Sequence, residues 1–304
     1  MRFALWRFVA RRLTVAVLFV LVVAASALLL VRLAPGDATY DLILSRADSA
    51  TIAAARQRLG LDHSAVAQLS QWMGGLARFD LGQSSRFRRP VAGLVGDRLV
   101  NTASLAGLAL LIAAVGIPFG IVTGTRPRSL FARVVSVVSV ALVCCPPIIA
   151  TLALLFFGAA TGWLSIAPGH SLLPALALAL PLAAMLERLQ SQAAAEAMQA
   201  PDIVAAAARG VPRGRLVWLH AGRHALRSVF GVAGIVIAAL FSGSIVVETM
   251  TAWPGIGQLM LDALRNRDLY LVAGCAMAGA AMLAVGNLIA DLLRAAMDPR
   301  VVRA

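Results

Sequence analysis

The segment Asp202-Ile-Val-Ala-Ala-Ala-Ala-Arg-Gly-Val-Pro-Arg-Gly-Arg215 is polar and rich in arginine, and it lies between two long apolar stretches of the chain. Its residues 203–208 favour a helix, because alanine has the highest helix propensity. Gly210 follows where helices commonly end, and Pro212 and Gly214 oppose a continuation of the same helix. We therefore predict a short helix that ends in a glycine turn beside a membrane, where another protein can bind it.

The composition is that of a membrane protein. Of the 304 residues, 60% are hydrophobic and only 13% are charged, which is too little polar surface for a soluble domain of this size. The formal net charge of +13 comes with no lysine at all, so every basic residue is an arginine. Positive charge in a membrane protein usually reports the orientation of its loops, so we expect contact with membrane lipid and no binding of nucleic acid.

Six apolar segments are long enough to cross a bilayer, since about 20 residues of helix span a hydrocarbon core of about 30 Å. They are residues 13–31, 101–123, 134–157, 171–184 with an extension to 189, 229–247 and 269–293. A cleaved signal peptide is the alternative for the first segment, because Ala25-Ser26-Ala27 resembles a cleavage site, but the apolar run is long for such a peptide.

We therefore predict an all-α membrane protein with six transmembrane helices. Residues 1–33 would form the N-terminus and the first span, 34–98 a small helical insert, and 99–304 a five-helix core with a polar loop at 191–228. The insert would contain one helix from Asp48-Ser49 to Leu59 and a second that starts at Asp62 or Ser64. The second helix would bury one face, formed by Ala65, Val66, Leu69, Trp72, Met73 and Leu76.

The arginines orient these spans. With the N-terminus inside, the inner segments are 1–12, 124–133, 185–228 and 291–304. These inner segments carry 16 arginines and 5 acidic residues, whereas the outer segments carry 11 arginines and 9 acidic residues. Cytoplasmic loops are generally the more positive ones. We therefore predict that both termini and the segment 202–215 are cytoplasmic and that the insert is extracytoplasmic.

No combination of residues predicts a catalytic or metal site, so we expect a chain that is not an enzyme and binds no cofactor. His220 and His224 have the spacing of a helical metal pair, but no third ligand is evident, and a basic helix face is the other interpretation. The adjacent Cys144 and Cys145 fit a core role better than a metal site. A P-loop requires lysine, so any ATP hydrolysis would have to come from a partner.

Short motifs along nearly the whole chain resemble one family of transport proteins. Its L-x-P-G-D and G-D-L-G-x-S elements are similar to Leu33-Ala-Pro-Gly-Asp37 and Phe79-Asp-Leu-Gly-Gln-Ser84, and its A-R-A-K-G-L loop is similar to Ala206-Ala-Ala-Arg-Gly-Val211. Its closing pattern is similar to Val247-Glu-Thr249, Trp253-Pro-Gly-Ile-Gly257 and Asp298-Pro-Arg300. On these motifs the chain resembles the inner-membrane permease subunit of a binding-protein-dependent ABC importer, in the dipeptide/oligopeptide/nickel family.

The resemblance implies the type I ABC importer permease fold in a bacterial inner membrane. It also implies a second, homologous permease subunit, two ATP-binding subunits that use ATP and Mg, and an extracytoplasmic substrate-binding protein. The cargo would be di- or oligopeptides, with nickel chelates or opines as alternatives. A stand-alone channel or a proton-coupled carrier is the alternative of another class, although such a carrier would be expected to hold acidic or histidine residues in mid-span.

The resemblance assigns the ATPase contact to a coupling loop. Its residues here are Asp202, Ala206, Ala207, Ala208, Arg209, Gly210, Arg213 and Arg215. The arginines would pair with acidic groups of the ATPase or with anionic lipid, and Gly210 would allow a turn where a side chain would clash. The chain departs from the family at Ala207, His224 and Ser228, which replace the usual Arg, Asn and Pro.

A second set of residues is predicted to form a gate or to stabilise the structure. It comprises Pro146, Pro147, Pro181, Glu248, Trp253, Pro254, Gly255 and Gly257. Proline leaves backbone carbonyls without a donor, so we expect the third and fourth spans to break or kink, with ordinary kinking for packing as the alternative. Glu248 either holds the Trp253-Pro-Gly255 turn or meets the binding protein. After Gly257, the spacing of Met260, Leu261 and Leu264 predicts a short amphipathic helix that lies at the outer surface and could contribute to a gate.

Overall fold

The structure is a computed structural model that describes residues 2–33, 48–50, 53, 64–76, 78–167 and 169–297, and the regular structure of these residues is helical. The helices are α1 (Arg2–Leu33), α2 (Ala65–Leu76), α3 (Val91–Ala113), α4 (Gly116–Thr125), α5 (Leu130–Cys144), α6 (Pro147–Thr161), α7 (Leu172–Ala197), α8 (Pro201–Ala208), α9 (Gly222–Met250), α10 (Ile256–Arg265) and α11 (Leu269–Met297). A helical turn, Arg213–Arg215, and a π-helical segment, Leu216–Ala221, lead into α9. The predicted helix at 48–59 and the motifs at 33–37 and 298–300 lie mainly outside the described residues.

Five helical stretches of the described chain are long and apolar enough to cross a membrane, and there are six if the bent pair α5 and α6 forms one span. The five are α1, α3 with α4, α7, the helix from Arg213 to Met250, and α11. An all-helical membrane protein is therefore confirmed, whereas the count of six spans stays a prediction.

The third predicted span breaks at its two prolines. The axes of α5 and α6 differ by 110°, and the break lies at Cys145 and Pro146. Pro147 is the first residue of α6, a position where its missing N–H has no partner to lose. Pro181, in contrast, lies inside α7, and this helix continues from Leu172 to Ala197.

The second span begins earlier than predicted. Helix α3 starts at Val91, within the segment 34–98 that we assigned to the insert. Our boundary followed the charges of Asp97 and Arg98, but a helix accepts charged side chains as long as its backbone bonds are kept. The helix is interrupted after Ala113, close to Pro118, which has no N–H to donate to the preceding turn.

The chain divides into two compact units. The first comprises residues 1–9, 103–253 and 285–304. Its core is formed by α3, α4, α7 and α9, and the buried side chains are mainly alanine, leucine and valine: Leu105, Ala109, Ala113, Ala175, Ala177, Leu178, Ala179, Leu182, Leu186, Val229, Val236, Leu240, Val247 and Trp253.

A stripe of glycines brings α4 and α7 into direct backbone contact in this unit. Gly116, Gly120 and Gly124 lie four residues apart on α4, and a methyl group on any of them would overlap with the backbone of α7. Small residues at this spacing let membrane helices approach closely. At these three positions the two helices are therefore packed backbone to backbone, and a side chain would not fit there.

The second unit comprises residues 10–102 and 254–284. In it, α2 begins after Ser64, whose hydroxyl accepts a hydrogen bond from the Ala67 N–H, so Ser64 is the predicted cap that the structure uses. Trp72 is buried among Ala24, Leu28, Leu269 and Ala273. One residue of the predicted face was wrong: Val66 is 74% exposed, and Gln68 is buried instead.

Candidate coupling site

The predicted coupling helix is α8, an eight-residue helix from Pro201 to Ala208. Proline at its first position suits a helix start, and Asp202 places a negative charge in the first turn, where the helix dipole favours it. Ile203 and Ala206 are 1% and 2% exposed and pack in a small cluster with Leu216 and Ala221. This cluster fixes one face of α8 against the rest of the first unit.

The helix ends in a complete Schellman motif. The Val211 N–H donates to the Ala206 carbonyl at 3.2 Å, and the Gly210 N–H donates to the Ala207 carbonyl at 2.9 Å. This pattern requires the residue after the cap to be left-handed, and Gly210 has a φ of 83°. The backbone satisfies its last carbonyls internally, so the end of α8 has one defined geometry.

Our expectation that a side chain at Gly210 would clash was wrong. A Cβ atom built on Gly210 meets nothing within 4 Å. Glycine is needed there because L-residues disfavour the left-handed backbone conformation, not because space is short.

The opposite face of α8 is uncovered in the described chain. Asp202, Ala207, Ala208 and Arg209 are exposed, and Val204 is 54% exposed. Ala206 belongs to the predicted site but points inward, so it supports α8 and does not form its outer surface. The outer face is therefore small and apolar, with an acidic residue at its start and an arginine at its end.

Side-chain contacts hold both flanks of this helix. His224 Nε2 lies 3.1 Å from an Asp202 carboxylate oxygen, which joins the first turn of α8 to the first turn of α9. An Arg213 guanidinium N–H donates to the Thr125 carbonyl at the end of α4, at 3.4 Å. His220 Nδ1 lies 3.2 Å from the Arg215 carbonyl. His224 is thus engaged with a carboxylate, and the described residues contain no cluster of three or more potential metal ligands.

The entry to α9 is irregular. Leu216–Ala221 form a π-helical segment, which adds a residue to the turn and is often found at functional sites. Leu216, Val217 and Ala221 are buried while Trp218 and Leu219 are more than half exposed. Alanine and leucine do not signal a π-helix in a sequence, so it could not have been predicted.

Sequence reasoning also missed a buried polar cluster between α4 and α7. The Thr123 hydroxyl donates to one Glu187 carboxylate oxygen at 2.6 Å. The second Glu187 oxygen and both amide atoms of Gln190 are buried and have no hydrogen-bond partner among the described residues. Gln190 is fully buried and Glu187 is 3% exposed. The available signal was Glu187 itself, an acidic residue in the extension of the fourth apolar segment.

Of the predicted gate residues, Glu248 and Trp253 lie in the first unit. Glu248 is fully buried, and its backbone carbonyl accepts a hydrogen bond from the Trp253 N–H at 2.9 Å. Ala252 between them has a φ of 51°. This backbone bond closes the turn, whereas the role of the Glu248 side chain stays a prediction.

Pro254, Gly255 and Gly257 lie in the second unit, at the start of α10. The Pro254 carbonyl accepts a hydrogen bond from the Asn101 side chain at 2.8 Å, and the Thr102 hydroxyl accepts one from the first N–H of α10, also at 2.8 Å. The predicted amphipathic helix is present, and Met260 and Leu261 on its predicted face are partly buried. Leu264 is 45% exposed, and the buried residues are Ile256, Gly257, Leu259 and Ala263.

Comparison with known proteins agrees with this architecture. The profile of the family described as "Binding-protein-dependent transport system inner membrane component" matches residues 116–303, and the profile of its N-terminal region matches residues 5–106. The chain belongs to this family. The first match includes α8, the Schellman turn and α9, so the candidate coupling site lies within the family's own region.

Individual relatives match this permease over nearly its full length. A Brucella abortus (strain 2308) protein, whose name describes a peptide transport system permease, is 34% identical over 96% of this chain and 97% of its own. The oligopeptide transport system permease protein AppB of Bacillus subtilis (strain 168) is 28% identical over 97% of this chain and 98% of its own length. A family of permease components is not itself catalytic, as we expected, and neither a free-standing channel nor a carrier is favoured.

Proposed function

We propose that this permease is one transmembrane subunit of an ATP-driven ABC importer and forms half of a path for di- or oligopeptides. The relatives described above are named for peptide transport, and this supports peptides over nickel chelates or opines. A second permease of the same family, identical or different, would complete the path. An extracytoplasmic binding protein would deliver the cargo.

The observation that carries this proposal is the uncovered face of α8. Its buried face is held by Ile203 and Ala206, and its first turn by the Asp202–His224 pair, while Val204, Ala207, Ala208 and Arg209 stay exposed in the described chain. A rigid helix that presents small apolar side chains between Asp202 and Arg209 fits a groove on another protein. We infer that this groove belongs to one of two ATP-binding subunits, which use ATP and Mg.

Coupling then follows from geometry. Closure of the ATP-binding subunits on ATP would displace α8, and the rigid-body movement would pass to the membrane helices attached to it. Arg209, Arg213 and Arg215 would add charge pairs with acidic groups at the rim of the groove. Contact with ATP-binding subunits requires α8 to be cytoplasmic. The arginine distribution predicts this orientation, with both termini cytoplasmic and the segment before α3 extracytoplasmic.

We expect the alternation between inward-facing and outward-facing states to involve the proline-containing helices. The break between α5 and α6 at Pro146 and Pro147 gives two helices that can change their angle without losing helical hydrogen bonds. Pro181 lacks the N–H that would tie its turn of α7 together, and a helix can bend at such a residue. These residues are our candidate gate elements.

The test is purification and transport. The tagged chain, expressed with its partner subunits, should copurify with a P-loop ATPase, and proteoliposomes should take up a labelled tripeptide only with ATP and the loaded binding protein. A nickel chelate and an opine, offered under the same conditions, should not be taken up. Uptake that needs no ATP, or a chain that purifies without any ATPase subunit, would refute the proposal.

A further inference from the structure

The segment between α2 and α3 forms a rigid loop, here called the arginine loop and defined as residues 78–90. The Ser84 hydroxyl donates to the Asp268 carboxylate at 2.6 Å, and the Arg86 N–H donates to the same oxygen at 3.1 Å. The Trp72 indole N–H donates to the Leu81 carbonyl at 3.1 Å. These bonds join the loop to the start of α11 and to α2, so its backbone is held in place.

The outward side of the arginine loop is basic and aromatic. Arg78, Arg86, Arg88 and Arg89 are exposed, and no ion pair is found for them within the part of the chain that the structure describes. Phe79 is 91% exposed and Phe87 is 42% exposed. The loop's own acidic residue, Asp80, accepts a hydrogen bond from the Gly82 N–H. Within the described residues, the surface thus combines exposed guanidinium groups with exposed aromatic rings.

Two residues of the loop hold costly backbone conformations. Phe79 and Arg88 have φ values of 60° and 52°, where side chains other than glycine are disfavoured. Such conformations persist only when the surrounding contacts impose them, and they are found often at binding sites. In this loop they turn a phenyl ring and a guanidinium group outward.

The loop is in contact with the first turns of two apolar helices. Arg89 lies two residues before α3, and the side chain of Val91 packs on Gly274, several residues inside the apolar helix α11. The ring of Tyr270, in the first turn of α11, lies against Gly82. The arginine loop therefore lies beside the starts of two helices, α3 and α11, that are apolar enough to cross a membrane.

We propose that the arginine loop binds the phosphate headgroup of an anionic phospholipid. Arginine forms paired hydrogen bonds with phosphate oxygens, and phenylalanine side chains beside basic residues insert into the boundary between headgroups and acyl chains. An acidic protein would also attract the four arginines, but the position of the loop beside the helix ends favours lipid. The proposal holds for either orientation in the membrane and does not depend on what the permease transports.

The test is chemical footprinting of the full chain in nanodiscs. Phenylglyoxal modifies accessible arginines, and mass spectrometry locates the products. Nanodiscs of phosphatidylcholine that contain phosphatidylglycerol should slow the modification of Arg86, Arg88 and Arg89 relative to phosphatidylcholine alone. Equal rates in the two membranes would overturn the proposal. Protection that appears only when a soluble acidic protein is added would also overturn it, in favour of a protein-docking surface.

A set of variants measures the affinity. Each arginine near an anionic surface contributes about fivefold, so the triple variant R86Q/R88Q/R89Q should bind short-chain phosphatidylglycerol roughly 100-fold more weakly. The affinity of the triple lysine variant should lie between those of the wild type and the triple glutamine variant, because lysine keeps the charge and loses the paired hydrogen bonds. The control R126Q/R128Q/R133Q removes the same charge from the first unit and should leave protection of the loop unchanged. If the control loses that protection equally, binding reflects net charge and the site does not exist.

Discussion

The left-handed conformation of Gly210 allows a sharp prediction. Valine at this position should weaken transport, because a β-branched residue in that conformation costs about 2–3 kcal/mol. The contacts that stabilise the turn are worth about as much as this conformational cost. They are two backbone hydrogen bonds of about 1 kcal/mol each and the partial burial of Val211. We therefore expect Gly210→Val to shift the equilibrium between the formed and unformed turn by roughly 30- to 150-fold.

Gly214 provides the matched control. Like Gly210 it lies in the arginine-rich loop, and a Cβ on either residue meets nothing within 4 Å, but only Gly210 has a positive φ. Gly214→Val should therefore leave transport close to the wild-type rate. Gly210→Asn should be milder than Gly210→Val, because asparagine tolerates the left-handed region better than other side chains.

The assay is ATP-driven peptide uptake by the reconstituted importer, together with its ATPase rate. Gly210→Val should reduce uptake several-fold while membrane insertion and total helix content stay unchanged, since α8 is only a small part of the chain. The reasoning would be refuted by normal uptake in Gly210→Val. It would equally be refuted if Gly214→Val lost as much activity, because the effect would then not depend on backbone conformation.

Three further predictions concern other contacts. Gly120→Ala should lower the unfolding temperature by several degrees, since overpacking costs about 1–3 kcal/mol, whereas Gly107→Ala, on an open helix face, should not; equal shifts would contradict the backbone contact of α4 with α7. A double-mutant cycle on Asp202 and His224, measured on uptake rates, should give a coupling energy below about 1 kcal/mol, because both side chains are partly exposed. A larger coupling energy would contradict this expectation. Asp268→Ala removes three accepted hydrogen bonds and should speed amide exchange at residues 84–87 by at least tenfold, and unchanged exchange would show that other contacts hold the loop.

Features that depend on local chemistry could be predicted from the sequence. The end of α8 at a glycine and the break beside Pro146 follow from the backbone preferences of single residues, and both are present. The apolar spans follow from composition over about 20 residues, which hardly depends on the rest of the fold. The start of α3 could not be placed this way, because the charges of Asp97 and Arg98 stand inside a helix and mark no boundary.

Features that depend on distant contacts could not be predicted. The Asp202–His224 pair joins residues in two different helices, and neither residue has a local pattern that points to the other. The same holds for the burial of Glu187 and Gln190 on α7, because α4, which covers them, is distant in the sequence. The glycine stripe is different, because Gly116, Gly120 and Gly124 have a spacing that predicts a helix contact.

The glycine stripe bears directly on how movement of α8 would reach the membrane helices. Helix α7 leads into α8 through only three residues, and the last carbonyl of α4 accepts the hydrogen bond from Arg213. Both helices of the backbone-to-backbone pair therefore end at the coupling site. Because closely packed interiors transmit strain, we expect a displacement of α8 to move α4 and α7 together. If α4 and α7 were loosely packed, the same displacement would be absorbed by side-chain rearrangement between them.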